Sequence, residues 1–271
     1  MNRPIAALSL SATLAAGCAG PIASHRVPVM SPSAATLTAD LYVPQGTAPF
    51  PALILLHGCN GIGRNVLAWA QWLQAEGYAA LVLDSFGGRG FTSICGDGSV
   101  FGGGPRSSDV FAAARYLATL PGIDQDRIGV IGWSHGGWTV LRAANYEPVY
   151  RDVRLRALVA FYPYCGDTAS YRGLSPLLML LGERDDWTPA EACRSLAEAA
   201  RREGHDVTAV VYAGAHHDFD AAHIRRPVRV TQALRGRGAT IAYDPRAHDD
   251  SEKRVREFLR RHLMPSSGRE R

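Results

Sequence analysis

Short apolar runs alternate with amphipathic stretches over most of the chain. The apolar runs are typical of strands buried on both faces, and they occupy residues 52–56, 78–83, 127–131, 157–162, 176–181 and 207–212. Apolar residues at helical spacing predict helices over residues 65–76, 108–120, 138–145, 190–202 and 251–263. Residues 36–43 alternate polar and apolar side chains, which predicts an edge strand. The alternation of strands and helices predicts an α/β fold with a mostly parallel central sheet and helices on both faces.

Three segments interrupt this pattern. Residues 85–107 are rich in glycine and have no periodicity, and so long a loop in a compact domain is usually functional. Residues 19–34 are rich in proline, serine and alanine and predict a linker, while residues 264–271 predict a flexible tail. Because the composition does not change within residues 35–263, we expect a single domain there.

Residues 1–18 resemble a bacterial export signal. Arg3 supplies a positive charge, residues 5–16 are apolar, and small residues precede Cys18. One interpretation is a lipobox in which Cys18 is lipidated, and the other is ordinary signal cleavage near Ala19. Both predict an exported protein, either periplasmic or lipid-anchored to an envelope membrane, and such an anchor is the only membrane contact we expect.

The cysteine count supports export independently. Without Cys18 the chain has four cysteines, and an even set suits an oxidising compartment. Four cysteines allow three pairings. We expect Cys59–Cys95 and Cys165–Cys193, because each pair follows strands that should lie close together in the sheet; buried, reduced cysteines are the alternative.

Composition narrows the range of partners. Apolar residues make up 46% of the chain and charged residues 20%, which indicates a folded core rather than disorder. The net charge of +4 is modest, and no basic stripe with interleaved aromatic residues predicts nucleic-acid binding. The cluster of His216, His217, Asp218 and His223 matches no zinc spacing, so neither a metal nor a cofactor is expected. The sequence does not indicate an oligomeric state.

One hexapeptide lies between the predicted strand 127–131 and the predicted helix 138–145: Gly132-Trp133-Ser134-His135-Gly136-Gly137. A G-x-S-x-G motif in this context is typical of a nucleophile elbow, a sharp turn that exposes a serine hydroxyl at a helix N-terminus. The flanking glycines would allow the strand and the helix to approach closely. A glycine-rich turn with an incidental serine is the alternative.

A serine nucleophile needs a general base and an orienting acid, which in this architecture follow later strands in the order Ser, Asp or Glu, His. Three carboxylates follow the predicted strand 176–181, namely Glu183, Asp185 and Asp186. Asp185 is favoured, because a short turn after the strand would direct it at the site, whereas Asp186 could instead cap the next helix. Two histidines, His216 and His217, follow the predicted strand 207–212, and His223 lies further along. These residues are the candidate acids and bases.

Two backbone amides are needed to bind an oxyanion. We expect one from His135, directly after the candidate nucleophile, and one from Cys59, in the loop after strand 52–56. The side chain of His57 is expected to be a buried, hydrogen-bonded structural group.

Three side chains are candidates for substrate binding. Arg89, in the glycine-rich segment, could pair with an anionic substrate, or it could anchor that segment through a salt bridge. Trp133 and Trp187 could line an acyl pocket, and core packing is the alternative for Trp133.

Five segments together resemble a known family: His57-Gly58-Cys59-Asn60-Gly61, Asp84-Ser85-Phe86, the hexapeptide around Ser134, residues 182–189 and residues 212–219. On these segments, the chain resembles the dienelactone hydrolase family of the α/β-hydrolase superfamily over most of residues 35–263. The family patterns Tyr-x-x-Ala-x-His-x-Phe and Gly-x-x-Asp-x-x-x-Pro place a histidine at His217 and an aspartate at Asp185. The resemblance therefore implies the α/β-hydrolase fold, with His217 as base and Asp185 as acid.

The resemblance also implies a function. Dienelactone hydrolase itself has a cysteine nucleophile where this chain has Ser134, so the resemblance implies hydrolysis of a small-molecule ester or lactone rather than one particular substrate. We expect a serine hydrolase that acts through an acyl-enzyme intermediate. The alternatives are an exported cutinase-like or polyester hydrolase and a catalytically inactive surface lipoprotein that binds a ligand.

Overall fold

The computed structural model describes residues 24–28, for their backbone alone, and residues 36–168 and 170–264. The predicted export signal, the candidate lipidation site Cys18 and all of the predicted tail except Met264 lie outside the described residues. Among the helices that the structure describes, none combines the length and the apolar character needed to cross a membrane.

Eight strands form the main sheet within the described part of the chain: β1 (Ser24–Pro28), β2 (Thr36–Tyr42), β3 (Phe50–Leu56), β4 (Ala79–Asp84), β5 (Ile123–Trp133), β6 (Leu155–Phe161), β7 (Leu177–Gly182) and β8 (Val207–Tyr212). They lie side by side in the order β1-β2-β4-β3-β5-β6-β7-β8. The pairs β1–β2 and β2–β4 are antiparallel, and every other neighbouring pair is parallel. The prediction of a mostly parallel central sheet is confirmed. Two short strands, β9 (Val228–Val230) and β10 (Ala239–Ile241), form a separate antiparallel pair.

Helices cover both faces of the main sheet, as predicted. The helices are α1 (Arg64–Ala75), α2 (Gly103–Ala118), α3 (His135–Tyr146), α4 (Ala190–Arg202), the single turn α5 (Ala233–Gly236) and α6 (Pro245–Leu263). Residues such as Phe111 of α2, Leu141 of α3 and Leu196 of α4 pack in the core on one face. Trp69 of α1 and Leu259 of α6 pack in the core on the other face. Burial on both sides explains why the central strands are almost uniformly apolar.

The structure differs from the sequence prediction at the edge of the sheet. Residues 36–43 were expected to form an edge strand, but β1 pairs with β2 from Ser24 opposite Asp40 to Pro28 opposite Thr36. Strand β1 therefore lies within residues 19–34, which the composition indicates to be a linker. This pairing uses backbone groups, which the side-chain pattern of so short a segment does not reveal.

Helix α2 begins at Gly103, five residues before the predicted start at residue 108. A Cβ atom at Gly103 would lie 2.8 Å from the indole ring of Trp138, so glycine allows α2 to contact α3 closely. Ser108, the first residue of the predicted helix, donates its hydroxyl to the carbonyl oxygen of Pro105 within α2. Glycine has a low helix propensity, so the sequence pattern predicts a start for this helix that is too late.

Candidate active site

Ser134 lies on the sharp turn between β5 and α3. Its backbone has φ 54° and ψ −112°, a conformation that costs energy for any residue with a side chain. Only 8% of the residue is exposed. The serine hydroxyl therefore stands at the N-terminus of a helix, where the helix dipole favours negative charge.

Close backbone contacts hold this turn. A Cβ atom at Gly132 would lie 2.3 Å from the carbonyl oxygen of Gly136, and one at Gly136 would lie 2.0 Å from the carbonyl oxygen of Leu56. Real Cβ atoms do not approach backbone oxygens so closely. Both glycines are therefore required by the packing of β5, α3 and β3, as the predicted nucleophile elbow demands.

The Gly136→Ala variant should lose at least about 3 kcal/mol of unfolding free energy, because the new methyl group would force β3 and α3 apart. Urea titration followed by circular dichroism measures this loss. Gly122→Ala is the matched control, because a Cβ atom at Gly122 meets nothing within 4 Å, and its effect should stay within about 0.5 kcal/mol. Equal stability of the two variants would contradict this account of the turn.

A continuous hydrogen-bonded chain connects Ser134, His217 and Asp185. Ser134 Oγ lies 2.9 Å from His217 Nε2, and His217 Nδ1 lies 2.7 Å from Asp185 Oδ2. All three residues are buried. They follow β5, β8 and β7, whose carboxyl ends meet at one edge of the sheet. The geometry allows His217 to accept the serine proton while it donates its Nδ1–H group to Asp185.

The competing acids and bases lie elsewhere. Glu183 accepts a hydrogen bond from the amide of Gly214, at 2.8 Å. Asp186 forms an exposed ion pair with Arg229, at 2.6 Å. His216 makes no hydrogen bond to Ser134, and His223 is exposed on the wall of a nearby cavity. The structure therefore brings to Ser134 the pair that the family resemblance implies.

Three donors hold the Asp185 carboxylate in place. The amides of Trp187 and Thr188 both donate to Oδ1 at 2.9 Å, and Thr188 Oγ1 lies 2.9 Å from Oδ2. Thr188 Oγ1 also lies 2.9 Å from the carbonyl oxygen of Tyr162. Sequence reasoning missed Thr188, whose hydroxyl links the loops after β6 and β7 behind the catalytic candidates.

The environment of His217 favours its protonated form. Burial disfavours the imidazolium ion, but the nearby negative charge of Asp185 and its hydrogen bond outweigh this effect and raise the pKa of His217 above 6.5. The rings of Tyr162 and Trp187 lie 4.5 Å and 5.0 Å from the imidazole, centroid to centroid. These contacts fix the plane of the ring.

Asp220 supports the wall behind His217. Its carboxylate is 2% exposed and accepts hydrogen bonds from Trp69 Nε1, at 2.8 Å, Trp133 Nε1, at 2.9 Å, and the hydroxyl of Tyr162, at 2.6 Å. Asp220 thereby holds the Tyr162 ring that contacts His217. No local sequence pattern distinguishes this aspartate from a surface residue.

The two candidate oxyanion amides lie in segments that meet at Ser134. Cys59 belongs to the loop after β3, and a Cβ atom at the preceding Gly58 would lie 3.7 Å from Ser134 Cβ. His135 is the first residue of α3. Among the residues that the structure describes, neither amide donates to a protein group. Both are therefore available to a ligand beside Ser134.

A buried arginine connects these two segments. Arg106 Nη1 donates to the carbonyl oxygen of His57, at 2.9 Å, and lies 3.0 Å from His135 Nδ1. His135 Nε2 lies 3.2 Å from the carbonyl oxygen of Gly98, so His135 carries its proton on Nε2. Burial and the charge of Arg106 lower the pKa of His135 to about 3. Sequence analysis missed Arg106, because arginine is rarely buried.

His57 is the structural group that the sequence predicts. Its Nδ1 atom lies 2.8 Å from the carbonyl oxygen of Gly58, and its Nε2 atom accepts a hydrogen bond from the amide of Ser85. Burial and the charge of Arg106 lower the pKa of His57 well below 6.5. The ring is therefore neutral and supports the loop that carries Cys59.

Arg89 does not reach the site. Its guanidinium forms two hydrogen bonds to Asp109, at 2.8 and 2.9 Å, and stacks over the ring of Phe101. This is the loop-anchoring salt bridge that the sequence left open, so the structure gives no support to binding of an anionic substrate by Arg89. Arg89 turns inward because a bidentate pair with a fully buried carboxylate satisfies both charges.

The two candidate tryptophans differ in position. Trp133 is 1% exposed and its ring stacks on Phe161, which fits the core-packing alternative, although the residue also borders one of the cavities beside Ser134. Trp187 is half-buried and lines the cavities beside Ser134. Trp187 is therefore the more accessible of the two tryptophans to a substrate.

The cysteines are joined in the two predicted pairs. The bridge Cys59–Cys95 connects the loop after β3 to the glycine-rich segment, next to Ser134. The bridge Cys165–Cys193 connects the segment after β6 to α4. The first bridge thus restrains a segment that carries a candidate oxyanion amide.

Two cavities open beside Ser134 and share Cys59, Cys95 and Trp187 in their walls. The His135-side cavity has a volume of about 350 Å³, and its other residues include His135, Trp138, Tyr164, Thr188, Leu234 and Arg237. The His217-side cavity has a volume of about 300 Å³, and its other residues include His217, Asn60, Asn65, Asp218, His223 and Gln232. No group of three or more metal-ligating side chains in the described part of the chain could hold a metal ion.

Two known proteins are similar to this chain in sequence. The chain is 32% identical over 152 residues to the quorum-quenching protein AidA of Acinetobacter baumannii, an alignment that spans 53% of this chain and 45% of AidA. It is 23% identical over 212 residues to a probable 2-oxo-3-(5-oxofuran-2-ylidene)propanoate lactonase of Bradyrhizobium, spanning 74% of this chain and 85% of that protein. The chain thus covers less than half the length of AidA.

A solved structure shares the fold. The dienelactone hydrolase of Anabaena variabilis is 18% identical, with a TM-score of 0.62 over 89% of this chain and 97% of that one. The sequence model of the dienelactone hydrolase family matches residues 37–263. Since this match spans most of the chain, the protein belongs to the dienelactone hydrolase family.

Proposed function

We propose that this protein is a serine hydrolase that cleaves carboxylic ester or lactone bonds through an acyl-enzyme intermediate. One observation carries the proposal: the buried hydrogen-bonded chain from Ser134 through His217 to Asp185, which begins on a strained elbow. Each member has the environment that its role needs. The lactonase from Bradyrhizobium supports lactones as one class of substrate.

Acylation begins when Ser134 Oγ attacks the carbonyl carbon and His217 Nε2 takes the hydroxyl proton. The carbonyl oxygen becomes an oxyanion, which the amides of Cys59 and His135 bind; each such donor contributes about 3 kcal/mol to the transition state. Asp185 stabilises the imidazolium form of His217. The bond between the acyl carbon and the alcohol oxygen then breaks as His217 donates the proton to that oxygen. The alcohol leaves, and the acyl group stays on Ser134.

Deacylation repeats these steps with water. Water adds to the acyl carbon and gives a proton to His217, and the second oxyanion binds to the same two amides. Its collapse breaks the bond to Ser134 Oγ, which recovers the proton from His217, and the carboxylic acid leaves. No step requires a metal or a cofactor.

We also propose that the protein acts outside the cytoplasm. The two disulfides support this location, because such bridges persist in oxidising compartments. The export signal in residues 1–18 and lipidation of Cys18 remain sequence predictions.

Labelling with a fluorophosphonate tests the proposed chemistry. Attack by Ser134 Oγ on phosphorus expels fluoride, so the mass of the protein should rise by one phosphonyl group. Trypsin should place the group in peptide 128–142, where Ser134 is the only serine. Urea-unfolded protein is the control and should stay unlabelled. If the folded protein also stays unlabelled, the inactive ligand-binding alternative replaces the proposal.

A further inference from the structure

The position of His217 orients the ester relative to the two cavities. His217 must deliver its proton to the alcohol oxygen, so this oxygen has to lie within hydrogen-bond reach of Nε2. His217 lines the His217-side cavity and is not among the residues around the His135-side cavity. Because the acyl carbon is bonded to Ser134, the acyl chain must extend the other way.

We propose that the His135-side cavity binds the acyl group, which is aromatic, and that the His217-side cavity binds a neutral, hydrogen-bonding alcohol. This inference rests on the proposed function and specifies its substrate class. The two cavities are of similar size, so their wall chemistry distinguishes them.

Aromatic side chains form a rigid wall of the His135-side cavity. Trp138 meets Tyr164 edge to face, with ring centroids 5.4 Å apart and planes at 84°. Trp138 Nε1 donates to Asp167, at 2.8 Å, and its ring packs on Gly102 and Gly103, where a Cβ atom would lie 3.1 and 2.8 Å away. A flat aromatic acyl group can pack against this wall without rearranging it.

A strained turn completes the same cavity. Leu234 and Arg235 have φ values of 52° and 57°, which are unfavourable for residues with side chains. Two contacts hold them: the Arg235 amide donates to the carbonyl oxygen of Gly96, at 3.0 Å, and the Arg235 guanidinium pairs with Asp97, at 2.9 Å. The apolar side chain of Leu234 is thereby held in the cavity wall.

The His217-side cavity has a different lining. Its polar side chains can donate and accept hydrogen bonds and include Asn60, Asn65, His223 and Gln232. Apolar residues such as Val230 and Ile241 also line it. No lysine or arginine is among the described residues around it, whereas two arginines line the His135-side cavity. Burial raises the pKa of Asp218, which favours its uncharged form. These walls suit an alcohol that carries hydroxyl groups and no charge.

The test uses the acyl-enzyme itself, because every ester of one acid passes through the same intermediate. Benzoyl esters of p-nitrophenol, ethanol and glycerol are compared with the corresponding acetyl esters. Burst kinetics give the acylation and deacylation rates separately. Trp138→Ala should lower kcat/KM for p-nitrophenyl benzoate at least about fivefold and change that for p-nitrophenyl acetate less than about twofold. It should also change the deacylation rate of the benzoyl-enzyme.

Gln232→Ala is the corresponding variant in the His217-side cavity. It should slow acylation by glyceryl benzoate relative to ethyl benzoate and leave deacylation of the benzoyl-enzyme unchanged. Trp72→Ala is the matched control for loss of a half-buried tryptophan, and Trp138→Phe retains an aromatic wall if Trp138→Ala does not fold. Two results would overturn the assignment of the acyl group to the His135-side cavity. The first is an equal loss of kcat/KM on benzoyl and acetyl esters in Trp138→Ala. The second is a deacylation rate of the benzoyl-enzyme that changes in Gln232→Ala but not in Trp138→Ala. Loss of fluorophosphonate labelling would instead reject the proposed function.

Discussion

Ser134→Ala should lower kcat for p-nitrophenyl acetate by about 10⁶-fold, the order of loss expected when a serine hydrolase loses its nucleophile. Alanine removes the Oγ atom that forms the acyl-enzyme, and His217 then has no hydroxyl to deprotonate. The amides of Cys59 and His135, which we propose bind the oxyanion, remain, so a small rate above that of water should persist. Steady-state release of p-nitrophenol measures the change.

Ser251→Ala is the matched control for this experiment. Ser251 is also buried, but its hydroxyl donates to the carbonyl oxygen of His248 within α6, far along the chain from the elbow. This variant should keep wild-type turnover. If Ser134→Ala keeps more than about a tenth of wild-type kcat, covalent catalysis by Ser134 is wrong.

The positions of the catalytic candidates could be predicted from the sequence because the fold is built from parallel strands. Ser134, Asp185 and His217 each follow an apolar run, and the carboxyl ends of parallel strands meet at one edge of the sheet. Local pattern favoured Asp185 over Asp186 but did not separate His217 from His216. The structure separates them through long-range contacts: Asp186 is drawn to Arg229, while Asp185 meets His217.

The residues that sequence analysis missed share one property. Arg106, Asp220 and Thr188 are polar residues that the fold buries, and each contacts partners distant in the chain. Hydrophobic periodicity assigns such residues to the surface, because it does not include partners. The sequence also did not show that Arg89 pairs with Asp109. This ion pair is what makes Arg89 a structural residue rather than a substrate contact.

These buried groups explain how the site stays rigid around a strained residue. Arg106 connects the His57 carbonyl to His135 and thereby links the two segments that carry the candidate oxyanion amides. The Cys59–Cys95 bridge restrains the same loop from its other side. Preorganised donors of this kind need no reorientation as the oxyanion forms, which is the main source of their catalytic effect.

Asp185→Asn should lower kcat/KM at neutral pH by about 10⁴-fold while leaving the fold intact. An amide NH₂ group facing Nδ1 favours the tautomer that carries its proton on Nε2, and this tautomer cannot accept the proton of Ser134. The amides of Trp187 and Thr188 can still donate to the amide oxygen in the position of Oδ1, and the hydroxyl of Thr188 can accept from the NH₂ group, so the loop keeps its shape. Hydrolysis of p-nitrophenyl acetate measures the loss.

The pH profile separates this tautomer effect from a merely structural one. His217 acts as a base only when neutral, so kcat/KM should rise with pH through the pKa of His217, which Asp185 holds above 6.5. Asp185→Asn removes the negative charge that raises the pKa of His217, while burial still disfavours the imidazolium ion and lowers this pKa. The acid limb of the kcat/KM profile should therefore move to lower pH in this variant. Asp186→Asn is the control and should retain the wild-type profile, because Asp186 pairs with Arg229 at the surface. An acid limb that stays in place in Asp185→Asn would show that Asp185 does not set the charge state of His217.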